Sequence, residues 1–175
     1  FLCADSNLQK PCVYLTTNRA LAALYIWNRP FRWMNYGIRE DGVPVYTESF
    51  PGALSTFYSG VQGCVYTCRG NYTENGTGIS VAVVSEEPVP VKATEPIDDA
   101  YKELLRLEDA GELVIRRYES LSEEQLEAQN NMILREIREE NLLRRPESPL
   151  SLFLQERFPT LWERAKKQML SEPQK

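Results

Sequence analysis

Two tyrosines, Tyr14 and Tyr25, stand eleven positions apart in the stretch VYLTTNRALAALY. A pair of electron-rich rings at that separation, one on a short β-type run and one on the helix after it, can hold a flat aromatic cation between them. Stacking and cation–π attraction would each contribute about 0.5–2 kcal/mol. The competing reading is that both rings only pack a core. Thr16 and Thr17 lie between them and could hydrogen-bond a ribose or an amide, or simply finish a strand and cap a helix. Arg19, Arg29, Arg32, Arg39 and Arg69 are the nearby cations that could meet a pyrophosphate.

Much other chemistry is excluded. The sequence has no histidine, so a serine or cysteine nucleophile would lack its usual base. Four cysteines occur, Cys3, Cys12, Cys64 and Cys68, without a CxxC pair, and no zinc site is expected. Cys64 and Cys68 fall in one strand at even spacing, about 13 Å apart on one face, too far to bridge each other. Reduced thiols and a cytoplasmic setting follow. The sequons Asn71-Tyr72-Thr73 and Asn75-Gly76-Thr77 are the one hint of secretion. The pairs Glu40-Asp41 and Glu86-Glu87 would diverge in extended chain, so no metal is expected. No GxxxxGK[ST] phosphate loop occurs, and Gly70, Gly76 and Gly78 follow a strand without opening a helix. A net charge of −5 argues against general nucleic-acid binding. No apolar run approaches the roughly 18 residues of a membrane span, and no signal-peptide pattern opens the chain. The chain starts at Phe1 rather than methionine, so an upstream strand or targeting segment is expected.

The elements that must position these residues divide near Pro96. Residues 1–95 hold 13 of the 18 aromatic residues, whereas 96–175 hold 17 of the 25 acidic and 13 of the 20 basic ones. Residues 1–95 therefore read as a mixed α/β core and 96–175 as a charged, mostly helical region. In the first part, CVYLT is a strand, and Thr17 or Asn18 caps a helix running to about Trp27, with Leu21, Leu24 and Tyr25 on its apolar stripe. FRWMNYGI alternates as a strand, with Trp27, Phe31 and Trp33 packing sheet against helix or, in the alternative, forming an exposed aromatic platform for a partner. EDG is a turn, VPVYTESF a strand and PGALSTFY a short helix opened by Pro51. GCVYTC and ISVAVVS are strands, the latter apolar enough for burial on both faces, and VPVKA extends it. Residues 69–78 form a loop or hairpin connection. In the second part, IDDAYKELLRLEDAG is a helix stopped by Gly111, and ELVIRRYE is a strand. Ser122 opens a long helix to about Leu143, striped by Leu126, Ile133, Ile137, Leu142 and Leu143. Shorter helices broken by Pro146, Pro149 and Pro159 follow, and the tail SEPQK frays.

The opening stretch resembles the central segment of ADP-ribosyltransferases of the diphtheria-toxin and poly-ADP-ribose polymerase type. In that family a strand written roughly G-I-Y-F-A leads into a helix ending in a second tyrosine. Here Cys12-Val13-Tyr14-Leu15-Thr16 stands for the strand and Asn18 to Tyr25 for the helix, with the eleven-residue spacing kept. The later order, with PGALSTFY, a G-x-V-Y strand and a closing apolar strand ending S-x-x-P-V, is also similar over residues 11–92. The resemblance implies an α+β fold with a split, mostly antiparallel sheet of that family's topology. It implies NAD as the substrate-cofactor, with Tyr14 and Tyr25 stacking on nicotinamide and Thr16 and Thr17 contacting ribose or amide. The reaction would be ADP-ribosyl transfer through an oxocarbenium-like state. The family's first-strand His or Arg would precede residue 11, and FLCADSNLQK offers neither. Its catalytic Glu would fall near Ser80, Val81 and Ala82, so one of Glu48, Glu74 or Glu86 must stand in. The alternative function is a non-catalytic module that docks a protein partner through its charged C-terminal helices, in a bacterial toxin–antitoxin or phage–host setting.

Overall fold

The computed structural model describes residues 11–70, 72–74 and 78–171. The expectations for Cys3, for the sequon asparagines Asn71 and Asn75, and for the tail after Ser171 lie outside the described residues. The fold is α+β, and it divides into two compact units. The first comprises 11–28, 35–48 and 52–116; the second comprises 29–34, 49–51 and 117–171.

In the first unit, β1 (Val13–Thr16) pairs antiparallel with β6 (Ala82–Ser85), which carries the two-residue β5 (Thr73–Glu74) on its other side. Between them in sequence comes α1 (Arg19–Leu24). Asn18 is its cap, and the side-chain oxygen accepts the Leu21 N–H at 2.9 Å. The helix ends three residues before the expected Trp27. Tyr25 and Ile26 N–H turn back to the carbonyls of Ala22 and Ala23, at 3.1 and 3.0 Å, tightening and closing the last turn. Ile26 then lies against Gly63, where a Cβ would sit 2.6 Å from Ile26 Cγ2.

Strands β2 (Tyr36–Ile38) and β3 (Pro44–Thr47) form a hairpin over the expected turn, with Gly42 at φ 83°. Helix α2 (Ala53–Tyr58) starts after Gly52, at φ 71°, rather than at Pro51. Next come β4 (Gly63–Cys68), β7 (Val91–Ile97), α3 (Ala100–Asp109) and β8 (Val114–Arg116). Strand β8 joins β3 in parallel, while the other described strand pairs are antiparallel. The extension expected at VPVKA is the full strand β7, paired with β4 in a ribbon that leaves Tyr66 and Val91 exposed. A register shift between Thr67 and Cys68 breaks the alternation that would have set Cys64 and Cys68 on one face. In β6, Val84 and Ser85 are buried but Ala82 and Val83 only half-buried, short of burial on both faces. Asp99 caps α3 by accepting the Lys102 N–H at 3.1 Å, and Gly111 at φ 73° follows its end. Leu21, Leu24, Leu54, Phe57, Tyr58, Leu104, Leu107 and Leu113 are among this unit's buried side chains.

The second unit is helical. After a 3-10 turn at Tyr118–Ser120 comes α4 (Glu123–Glu139), opened by a reciprocal capping box. Ser122 Oγ accepts the Gln125 N–H at 3.2 Å, and Gln125 Oε1 accepts the Ser122 N–H at 2.9 Å. It stops before the expected Leu143, because Asn141 takes the left-handed conformation, φ 50°, and Leu142–Arg144 become a 3-10 turn. Helices α5 (Pro149–Arg157) and α6 (Pro159–Ser171) complete the unit, each with proline at its start.

The strand expected over FRWMNYGI reduces to Tyr36–Ile38. Phe31 stacks on Phe153 with centroids 5.0 Å apart, and Trp33 meets Phe153 and Phe158 at 5.5 and 5.9 Å. These rings thus serve the helical unit, not a sheet face, and Trp33 Nε1–H donates to Ser49 Oγ at 2.8 Å. Trp27 does pack in the first unit, on Phe57 and Tyr58 of α2. No helix among the described residues is long and apolar enough to cross a membrane.

Candidate functional site

Helix α1 packs beside β1, β4 and α3, burying Ala20, Leu21, Ala23 and Leu24. Its three-residue approach from Thr16 leaves one tyrosine on the strand and one just past the helix end. Tyr14 is 42% exposed and Tyr25 43%, so neither phenol belongs to the core. Tyr14 stands opposite Val84, on the sheet face that also carries Thr16 and Ala82. The Tyr25 hydroxyl shares a hydrogen bond of 2.9 Å with the Tyr36 hydroxyl, and the two rings meet edge to face at 6.3 Å.

The threonines tie this corner together. Thr16 Oγ1 donates to the Val81 carbonyl at 2.8 Å and accepts the Asn18 N–H at 3.0 Å. The Val81 carbonyl also receives the Thr17 N–H at 3.0 Å and the more exposed Thr17 hydroxyl at 3.4 Å. Asn18 Nδ2–H donates to the Gly42 carbonyl at 3.2 Å, fastening the β2–β3 turn to the start of α1. Val81 follows a segment that helps line an open cleft of about 460 Å³, bounded by Tyr36, Gly37 and Ile38 on one side and Gly78, Ile79 and Ser80 on the other. Both walls are therefore anchored to the β1–α1 corner: one through Thr16 and Thr17, the other through the Tyr25–Tyr36 bond. Among the described residues, the lining carries no charged side chain.

The three candidate carboxylates do not converge. Glu48 is buried, and one of its oxygens accepts the Leu54 N–H at 3.0 Å, supplying the side-chain cap that Gly52 cannot give to α2. Glu86 is exposed in the turn after β6. Glu74 has its backbone in β5, and its side chain lies outside the described residues. Among the cations, Arg39 pairs with Asp41 at 2.7 Å, and Arg29 and Arg32 belong to the second unit. Arg69 is exposed just after β4.

Arg19 is fully engaged. It forks onto Glu95 of β7 at 2.6 and 2.7 Å and reaches Glu103 of α3 at 3.0 and 3.2 Å, while Arg106 holds the other side of Glu103 at 2.8 and 2.9 Å. The hydrogen bond from Arg19 holds the Glu95 carboxyl below its ordinary range, and those from Arg106 and then Arg19 do the same for Glu103. The same pairing pushes the Arg19 guanidinium up. Among the described residues, no group of three His, Cys, Asp or Glu side chains could hold a metal. Reading the sequence missed the Arg19 network, since its members are 76 and 84 positions from Arg19. It also missed Tyr36, although Tyr36 repeats the eleven-residue interval after Tyr25.

No family model matches this chain, and neither does any curated protein or solved structure.

Proposed function

We propose that the β1–α1 corner binds the nicotinamide ring of NAD or a related nucleotide between Tyr14 and Tyr25, in the manner of the ADP-ribosyltransferase-like topology the sequence resembles. The observation that carries this reading is the exposure of both phenols beside an otherwise buried helix. Apolar rings of that size are left at a surface at a cost, and Tyr25 bonds the wall of a cleft through the Tyr36 hydroxyl. Thr17, with the longer of the two hydroxyl bonds, is free enough to turn toward a ribose or amide; Thr16 holds the wall.

Binding is favoured over ADP-ribosyl transfer as the main activity. Transfer needs a carboxylate beside the ribose to stabilise an oxocarbenium. Glu48 is committed to the start of α2, and Glu86 stands exposed beyond β6.

Thermal unfolding with nicotinamide-bearing ligands tests the proposal. A ligand at about 100 times its Kd adds about 2.7 kcal/mol to stability. Tyr14→Ala and Tyr25→Ala should each weaken binding by about 3- to 30-fold while leaving the fold intact. Absence of any shift with nicotinamide, NAD and ADP-ribose removes the reading. In that event the second function gains, docking of a protein partner by the helical unit, which bares Leu152 on α5 and the adjacent Met169 and Leu170 on α6.

A further inference from the structure

We infer that the cleft beside Tyr25 takes the uncharged, sugar-bearing side of the ligand, so that the site selects a nicotinamide nucleoside and gains nothing from a pyrophosphate. This rests on the nicotinamide reading above and narrows its ligand class. Tyr36 is at once a wall of the cleft and the hydroxyl partner of Tyr25, so whatever is attached to a ring held at Tyr25 meets that wall first. The lining is two glycines, two isoleucines, a serine and a tyrosine. It offers apolar contact and hydroxyls, which suit a ribose, and no cation to compensate a phosphate.

Two of the cations that sequence spacing brings close, Arg19 and Arg39, are already paired with carboxylates. Arg19 has Glu95 and Glu103 on its nitrogens, and Arg39, next along the chain from the cleft wall, is paired with Asp41. To reach a pyrophosphate either would have to abandon a carboxylate and leave it facing the same anion. The net charge of −5 adds a mild repulsion for polyanions. Electron-rich phenols work in the opposite sense, since they attract the positively charged nicotinamide ring. Nicotinamide riboside carries that positive ring with no phosphate. Nicotinamide mononucleotide adds one phosphate, NAD adds a pyrophosphate, and ADP-ribose keeps the pyrophosphate but lacks the ring. The order of affinity should follow that series, strongest first.

Calorimetric titration of the full chain with these four compounds decides the matter. The expected result is that nicotinamide riboside binds at least as tightly as NAD, with Kd values that change less than about twofold between about 50 and about 300 mM salt. NAD binding about tenfold more tightly than the riboside, or losing affinity steeply with salt, overturns the inference while leaving the nicotinamide reading standing. If none of the four binds, both fall together. Ser80→Lys supplies an independent arm, because Ser80 is exposed and lines the cleft, so the substitution leaves the core untouched. It should raise the affinity for NAD relative to the riboside by about threefold and make NAD binding salt-dependent. An unchanged ratio means that the phosphate side of the ligand does not lie along this cleft, and sinks the assignment.

Discussion

At Gly63 the first unit has no room for a side chain. An added Cβ would lie 2.6 Å from Ile26 Cγ2, a branched methyl that cannot swing aside. Gly63→Ala should therefore cost about 1–3 kcal/mol in urea unfolding, and that cost should shrink to a few tenths when Ile26→Ala has already made the space. Tyr58 shows the opposite case, a polar atom that must stay. Its buried hydroxyl donates to the Leu24 carbonyl at 2.8 Å near the end of α1, and burial pushes its ionisation up, so it remains a neutral donor. Tyr58→Phe would leave that carbonyl unpaired and should lose about 1–2 kcal/mol, independent of pH through the neutral range. Neither contact could be read from the sequence, because Gly63 and Ile26, like Tyr58 and Leu24, meet only through tertiary packing. The placing of Tyr14 on a strand and of Tyr25 at the close of the next helix was legible because both elements are local.

Among the elements, the helices with strong local start signals were the most legible. Asn18, Asp99 and Ser122 each cap a helix by accepting a backbone N–H; Ser122 was legible outright and Asn18 as one of two candidates with Thr17. Ser122→Ala removes one side of a reciprocal box and should lower stability by about 1 kcal/mol, measured by thermal or urea unfolding. Helix ends were less legible, since α1 and α4 stop where a tightened turn and a left-handed Asn141 intervene. Toward the end of α4, Glu136 is half-buried, and burial, then Glu140 and Glu139, push its carboxyl up. A group held above its unfolded value is penalised while ionised, and the penalty disappears as pH falls through the folded value. Glu136→Gln should thus stabilise the protein by about 0.3–0.5 kcal/mol at pH 7 and make no difference in acid. The alternation in FRWMNYGI misled because its rings serve a helix packed from more than a hundred residues away, a partner that period-2 patterning cannot reveal.

For the whole molecule, acid and truncation are the informative perturbations. The carboxyls of Glu95 and Glu103 lie below their ordinary 4.5 in the folded state. Their contribution is therefore complete above that value and is lost as pH falls through the lower folded values. Urea midpoints should fall on acidification below about pH 4.5, and Arg19→Met should flatten that fall, since it removes the partner common to both. The α+β class with a helical C-terminal region was legible from composition and period. The pairing of β3 with β8 was not, because the two strands lie far apart in sequence and neither carries a mark of the other. The same holds for 29–34 and 49–51, which belong with the helices although they interrupt the first unit's sequence. A chain ending at Arg116 would keep Phe31, Trp33 and Phe50 while losing Phe153 and Phe158. Such a fragment should elute as aggregates in size-exclusion chromatography, where the full chain gives a discrete species. The interleaving also bears on birth at the ribosome. At about 5–20 residues per second, Trp33 emerges roughly ten seconds ahead of the rings it will rest on. For that interval the nascent polypeptide displays a sticky indole and two phenylalanines, which is where a chaperone would first take hold.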